Sequence, residues 1–114
     1  MSTLTKLVAL ATVAVAAVPV AGYAQPTPDE MARSLGEMQW HAAACHLPTA
    51  PLEAALERYI QRTEAGPIEA QHLRQEFLAG RTDYERSFGS HMRCDGAAAE
   101  IAAVIAKTDR ERPR

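Results

Sequence analysis

The sequence predicts an all-α protein: a small bundle of four to five short helices with one disulfide, preceded by a cleaved signal peptide. Three observations predict this class. Alanine is abundant and β-branched residues are scarce beyond the first two dozen positions, which favours helix over strand. Capping residues and prolines recur at the starts of apolar stripes with helical spacing. The chain has two cysteines, Cys45 and Cys94, behind an apparent export signal.

The N-terminal segment has the layout of a secretory signal peptide. Lys6 precedes an uncharged apolar run at residues 7–22, and small residues, Gly22 and Ala24, stand at the two positions that a signal peptidase reads. A membrane-spanning helix needs roughly 20 apolar residues, whereas this run is shorter and contains Pro19. We therefore expect cleavage after Ala24 and a periplasmic or secreted protein.

Residues 25–108 are expected to form a single helical domain, and residues 109–114 a flexible C-terminal tail. The chain carries a net charge of −2 at pH 7. A weakly acidic domain has no electrostatic reason to bind nucleic acid or anionic lipid, so neither nucleic acid nor, after signal cleavage, a membrane is an expected partner.

The first helix has a complete start signal. Thr27 is a capping residue, Pro28 occupies the first helical position and Glu30 completes a capping box. Pro48 ends the helix. Its apolar stripe has the spacing i, i+4, i+7, i+11 and i+14, and consists of Met31, Leu35, Met38, Ala42 and Cys45.

Three further helices follow from the same signals. The second begins near Thr49 and stops at Gly66, with a buried face of Leu52, Ala55, Leu56, Tyr59 and Ile60. The third begins at Pro67 and closes at Gly80, burying Ala70, Leu73 and Phe77. The fourth starts at Thr82, and Gly89 and the Asp95–Gly96 pair are weak points at which it can break into two. If it runs on, its apolar face is Tyr84, Phe88, His91, Cys94, Ala98, Ile101 and Ile105. Short connections make neighbouring helices antiparallel.

The segment His41–His46, HAAACH, has three interpretations, of which a helix end carrying a disulfide thiol is preferred. Cys45 and Cys94 both fall on predicted apolar stripes in an exported chain, so we expect them to pair. The haem interpretation lacks the first cysteine of a CxxCH attachment box, because alanine stands there.

Metal binding is the competing interpretation of the two cysteine-containing clusters. Imidazole, thioether and thiolate donors would suit copper or zinc, although a disulfide removes the thiolates from such a site. The expected cofactor is therefore none, and the candidate ligands of this alternative are His41, Cys45, His46, His91, Met92 and Cys94.

The sequence offers only weak candidates for a set of catalytic residues. His72 has Glu69 and Glu76 nearby on one helix, a pattern that charged helix surfaces also produce. Neither a glycine-framed nucleophile turn nor a phosphate-binding glycine loop occurs in the sequence. We therefore predict that the protein is not an enzyme.

A second apolar face of the first helix points to a binding role. Trp40, Ala43 and Leu47 lie nearly opposite the main stripe, and either another helix covers them or they contact a partner protein. The resemblance to known proteins is generic, since small exported helical proteins with one disulfide include chaperones, inhibitors and immunity proteins. The expected function is non-enzymatic protein–protein interaction, and the alternative is periplasmic metal handling.

Overall fold

The computed structural model describes residues 25–113, and this range contains helices but no strand. The helices are α1 (Pro28–Ala44), α2 (Ala50–Thr63), α3 (Pro67–Phe88) and α4 (Ala97–Arg110), and a 3-10 turn (Gly89–His91) follows α3. The predicted all-α class and its disulfide are confirmed. The predicted signal peptide, residues 1–24, lies outside the described residues. Within the described range, no helix combines the length and the apolar composition that a membrane crossing requires.

α1 begins with the predicted capping box. The Thr27 hydroxyl accepts a hydrogen bond from the backbone N–H of Glu30 (3.2 Å), and the Glu30 carboxylate accepts one from the N–H of Thr27 (2.9 Å). Two of the N–H groups that a helix start leaves unpaired are thereby satisfied. The predicted stripe from Met31 to Ala42 is buried.

α2 buries the face that the sequence predicts, Leu52, Ala55, Leu56, Tyr59 and Ile60. It ends at Thr63, shortly before the predicted stop at Gly66. The Thr63 hydroxyl donates to the carbonyl of Ile60 (2.6 Å), and Glu64 follows in the left-handed conformation with φ of 56°.

α3 differs from the prediction. The sequence predicts a helix end at Gly80 and a new start at Thr82, but α3 continues unbroken to Phe88. Gly80 is buried against the backbone of Arg33 on α1, where a side chain would overlap the Arg33 carbonyl. A glycine inside a helix costs only about 1 kcal/mol relative to alanine. The close contact between α3 and α1 at Gly80 therefore outweighs the tendency of glycine to end a helix.

The helical structure between α3 and α4 is interrupted at both predicted weak points. Gly89 opens the 3-10 turn, and Gly96 precedes α4 with φ of 75°, a conformation that favours glycine. The face from Tyr84 to Ile105, which was expected only if the helix ran on, therefore does not form. α4 extends to Arg110, past the predicted domain end at 108.

The four helices alternate in direction. Asp29 pairs with His72 and Arg33 pairs with Glu76, and both pairs are separated by 43 positions, so α1 and α3 run parallel. α1 contacts the other three helices and is the centre of the bundle. The main buried cluster is contributed by all four helices and comprises Ala32, Leu35, Met38, Ala42, Leu52, Ala55, Leu56, Ile60, Ala70, Leu73, Phe77 and Ile101.

Candidate functional site

The HAAACH segment forms the end of α1 and its stop signal. The N–H of Leu47 donates to the carbonyl of Ala42 (2.8 Å), and the N–H of His46 donates to that of Ala43 (3.2 Å). His46 has φ of 59°. These bonds define a Schellman motif with histidine in the left-handed position, a conformation in which histidine is enriched among non-glycine residues. The motif turns Leu47 back onto the bundle, where it packs against the core.

Cys45 and Cys94 form a disulfide, with their Cα atoms 5.5 Å apart. Cys45 is half-buried and Cys94 is exposed, so the prediction that both thiols face the core is wrong. The reason is the end of α3 at Phe88, which places Cys94 in the connection 89–96 instead of on a helical stripe. The bridge therefore fastens this connection to the end of α1.

His41 provides a second attachment for the same connection. It is only 5% exposed, and its Nε2–H donates to the backbone carbonyl of Arg93 (2.9 Å). The imidazole also stacks on Tyr84, with ring centroids 6.2 Å apart. Because Arg93 adjoins Cys94, the hydrogen bond and the disulfide hold neighbouring points of the connection.

The six candidate metal ligands are divided by the fold. Both sulfurs of the cysteine pair are in the disulfide, and His46 is exposed beyond the helix end. His41, His91 and Met92 line one open cavity of about 320 Å³. The His41 Nδ1 atom is buried, and no group of the described residues hydrogen-bonds it. Nε2 of the same ring already donates its hydrogen bond to the backbone carbonyl of Arg93.

The predicted partner-binding residues do not form one continuous patch. Trp40 is half-buried and lies edge-on to Tyr84 of α3, with centroids 6.0 Å apart. Ala43 is exposed. Leu47 lies towards α2 and α4. Trp40 is therefore covered in part by α3, while Leu47 belongs to a different surface.

That surface is an apolar groove between the start of α2 and the first half of α4. It has a volume of about 240 Å³ and no charged side chain in its lining, which consists of Leu47, Pro48, Pro51, Ala98, Ile101, Ala102 and Ile105. We call it the α2–α4 groove. Sequence reasoning identified Leu47 but missed the groove, because α2 and α4 are far apart in the chain. The spacing of Ala98 and Ala102, one helical turn apart, was the available signal.

The groove has a firm base and exposed edges. Ile101 is buried and forms part of the core, whereas Pro48, Pro51, Ala98 and Ala102 are exposed. Farther along α4, Asp109 forms a bidentate pair with Arg58 of α2, at 3.1 and 3.2 Å. This ion pair joins the two helices about two turns beyond Ala102.

His72, the weak catalytic candidate, has a partner that the sequence does not reveal. Its Nε2 lies 3.0 Å from Oδ2 of Asp29 on α1 and 3.8 Å from Oε1 of Glu76 on its own helix. The hydrogen bond to Asp29, followed by the charge of that carboxylate, raises the pKa of His72. Asp29 escapes sequence analysis because it is 43 positions away.

The described residues thus present two surfaces of different chemistry. The α2–α4 groove can accept apolar side chains, and the cluster around His72 can interact with charged ligands. Comparison of the chain with protein-family models, characterised proteins and solved structures finds no match.

Proposed function

We propose that this chain is a non-enzymatic exported protein that acts by binding another protein through the α2–α4 groove. The observation that carries the proposal is the groove lining, which is apolar throughout. Such a lining offers no acid, base or nucleophile for catalysis but excludes water from an apolar group placed in it. Leu47, one of the three predicted contact residues, is part of this lining.

The occupant that fits the groove is an amphipathic helix of the partner. The exposed edges are alanines and prolines, small or rigid residues that let a second helix approach closely and lose little side-chain entropy on binding. Helix-in-groove recognition places apolar side chains at i, i+3, i+4 and i+7 of the partner against such a surface. The Arg58–Asp109 pair at the far end supplies a polar rim, as protein interfaces have around their apolar centres.

Export of the protein is the second part of the proposal. The layout of residues 1–24 supports it, and so does the disulfide, since disulfides persist chiefly in oxidising compartments. Intact-mass measurement of the protein recovered from the periplasm or culture medium tests it. The expected mass begins at Gln25, and a mass that includes residues 1–24 would contradict cleavage.

Two neighbouring alanines of α4 provide a matched test of the groove. Ala102 lines it, whereas the adjacent Ala103 is exposed but is not part of the lining. Ala102→Glu places a charge among apolar side chains and should abolish partner binding, since burying an unpaired carboxylate is costly. Ala103→Glu adds the same charge outside the groove and should leave binding unchanged.

The readout is a quantitative comparison of three proteins as baits in extracts and medium of the cells that export the chain. A true partner is retained by the wild type and by Ala103→Glu, and lost with Ala102→Glu. Far-UV circular dichroism and melting temperature establish that both variants fold. If every captured protein binds the two variants equally, the groove is not the binding site.

A further inference from the structure

Three ligand-type side chains meet at the N-terminal end of the α1–α3 contact. One donor atom from each of Asp29, His72 and Glu76 lies within 4.8 Å of the other two. His72 and Glu76 are one helical turn apart on α3, so they project from the same face. Asp29 lies in the first turn of α1, which runs parallel to α3. The cluster therefore draws on two helices.

The distances suit a shared metal ion. Two ligands about 2.1 Å from a tetrahedral zinc ion are separated by about 3.4 Å. Nε2 of His72 lies 3.0 Å from Oδ2 of Asp29 and 3.8 Å from Oε1 of Glu76, on either side of that value. The donor atoms of Asp29 and Glu76 lie within 4.8 Å of each other, so zinc binding would require these two exposed or half-buried side chains to draw together.

Glu76 is held in place by a neighbour outside the cluster. Its side chain is only 17% exposed, and its Oε2 accepts a hydrogen bond from Nε of Arg33 (2.8 Å). This bond leaves Oε1 directed at His72. Metal-binding carboxylates and histidines commonly have such supporting hydrogen bonds, which fix the orientation of the ligand.

The helices beneath the cluster are also fixed relative to each other. Gly36 of α1 and Gly80 of α3 let the two backbones approach closely, with no room for a side chain at either position. The distance between Asp29 and the two ligands on α3 therefore depends on a tight helix–helix contact, not on loops.

We propose that Asp29, His72 and Glu76 bind a zinc(II) ion, with the remaining coordination position open to water or to a ligand from outside the protein. Zinc accepts nitrogen and carboxylate oxygen donors in this combination, and three protein ligands with one open position is a frequent arrangement for it. Magnesium and calcium favour sites made of oxygen alone, so the imidazole selects against them.

Isothermal titration of the untagged protein with zinc chloride tests the site. Residues 1–24 contain no histidine, cysteine or acidic residue, so the N-terminal segment adds no side-chain ligand of these types. The expected result is saturable binding of one zinc ion per chain.

Variants locate the site. Loss of a supporting residue alone weakens metal binding by about 10–100-fold, so His72→Ala and Asp29→Asn should each raise the zinc Kd by about 100-fold or more. His91→Ala removes an exposed histidine outside the cluster and should change nothing. Circular dichroism and Trp40 emission establish that each variant folds.

Absence of saturable zinc binding by the wild type would overturn the proposal. So would wild-type affinity in His72→Ala, or a loss of binding confined to His91→Ala. The cluster and the α2–α4 groove lie at opposite ends of α1, a helix of 17 residues or about 25 Å. The groove experiment and the zinc experiment therefore succeed or fail independently.

Discussion

Along α1, the contact with α3 and the contact with the connection 89–96 are stabilised in different ways. The α1–α3 contact depends on backbones that approach closely at Gly36 and Gly80. The connection has no regular structure after its 3-10 turn, and it is attached to α1 by the Cys45–Cys94 disulfide and by the hydrogen bond from His41 to Arg93. One contact depends on the absence of side chains, and the other depends on two specific links.

This difference separates the two proposed binding surfaces. The His72 cluster lies on the α1–α3 contact, so its geometry should survive reduction of the disulfide. Leu47 and Pro48 of the groove lie two and three residues after Cys45, and Ala98 lies four residues after Cys94, in the first turn of α4. The disulfide therefore links both sides of the groove, and reduction should loosen the groove more than the cluster.

Removal of the disulfide is expected to have the largest effect. The Cys45→Ala/Cys94→Ala double variant leaves no free thiol and should unfold about 2–5 kcal/mol more easily than the wild type, since the bridge closes a loop with a sequence separation of 49. For a domain of this size, the melting temperature should fall by more than about 10 °C. Differential scanning calorimetry measures the change.

Reduction of the wild type with a dithiol provides the matched control, and it should lower the melting temperature to the value of the double variant. Equal melting temperatures with and without the disulfide would show that the other contacts alone hold the connection. Alkylation without reductant should leave both cysteines unmodified, because they are joined in the disulfide.

Side chains at the two helix-contact glycines should have the next largest effect. A methyl group at Gly36 would overlap the carbonyl of Phe77, and one at Gly80 would overlap that of Arg33. Overpacking of this kind costs about 1–3 kcal/mol, and overlap with backbone places Gly36→Ala and Gly80→Ala near 3 kcal/mol. Chemical denaturation monitored by circular dichroism measures the loss.

Gly89→Ala is the control for this series. Its nearest neighbour would be the Trp40 ring at 3.9 Å, an ordinary contact, and its φ of −55° suits any residue. The variant should be neutral or more stable by about 0.4–1 kcal/mol, because alanine restricts the unfolded chain. Equal destabilisation of all three variants would show that helix contact is not the cause.

The same glycines show where sequence analysis succeeds and where it fails. The start of α1 was predictable because Thr27, Pro28 and Glu30 act within one turn. The buried face of α2 was predictable because its period is local. Gly80 was misinterpreted as a helix end because the residue that requires it, Arg33, is on another helix. The sequence of one helix shows that a glycine costs helix stability, but it does not show the contact with another helix that compensates for this cost.

In the candidate sites too, features set by local sequence were predictable and features set by contacts between helices were not. The pairing of Cys45 with Cys94 was predictable from the number of cysteines and the predicted signal peptide, but the exposure of Cys94 was not, since it follows from where α3 ends. The His72 cluster includes Asp29, and the groove includes Ala98 and Ala102, and each of these contacts is made between helices distant in sequence. Single-helix periodicity contains no information about which helices become neighbours.

Trp40 lies where the two regions of α1 meet, between Tyr84 and the start of the connection. Truncation of a fully buried tryptophan costs about 3–5 kcal/mol, so Trp40→Ala, at a half-buried position, should cost about 2 kcal/mol. The wild-type emission maximum should fall between those of buried and fully exposed tryptophan. Trp40→Phe retains a ring against Tyr84 and should lose less than half as much stability. Unchanged stability in Trp40→Ala, together with red-shifted wild-type emission, would instead place the ring in solvent.

The smallest expected effect is the pH dependence of the His72–Asp29 pair. Asp29 raises the pKa of His72, first by accepting its hydrogen bond and then by its charge. A group whose pKa is higher in the folded state stabilises the fold fully at pH values below its pKa in the unfolded chain, which is about 6.5 for histidine. That stabilisation is lost as the pH rises through the pKa of His72 in the folded protein. The stability difference between wild type and His72→Ala should therefore be larger at about pH 5.5 than at about pH 9.

Both proteins are unfolded with urea in the presence of a chelator, so that proton binding is measured without metal. Asp29→Asn removes the principal cause of the raised pKa and should flatten the pH dependence while leaving the imidazole in place. Because the pair is exposed, solvent and salt screen it, and the effect should diminish as ionic strength increases. A difference that instead grows with pH would mean that the neutral imidazole is the stabilising form. In that case packing of the ring on α3, and not its charge, would be its contribution to the α1–α3 contact.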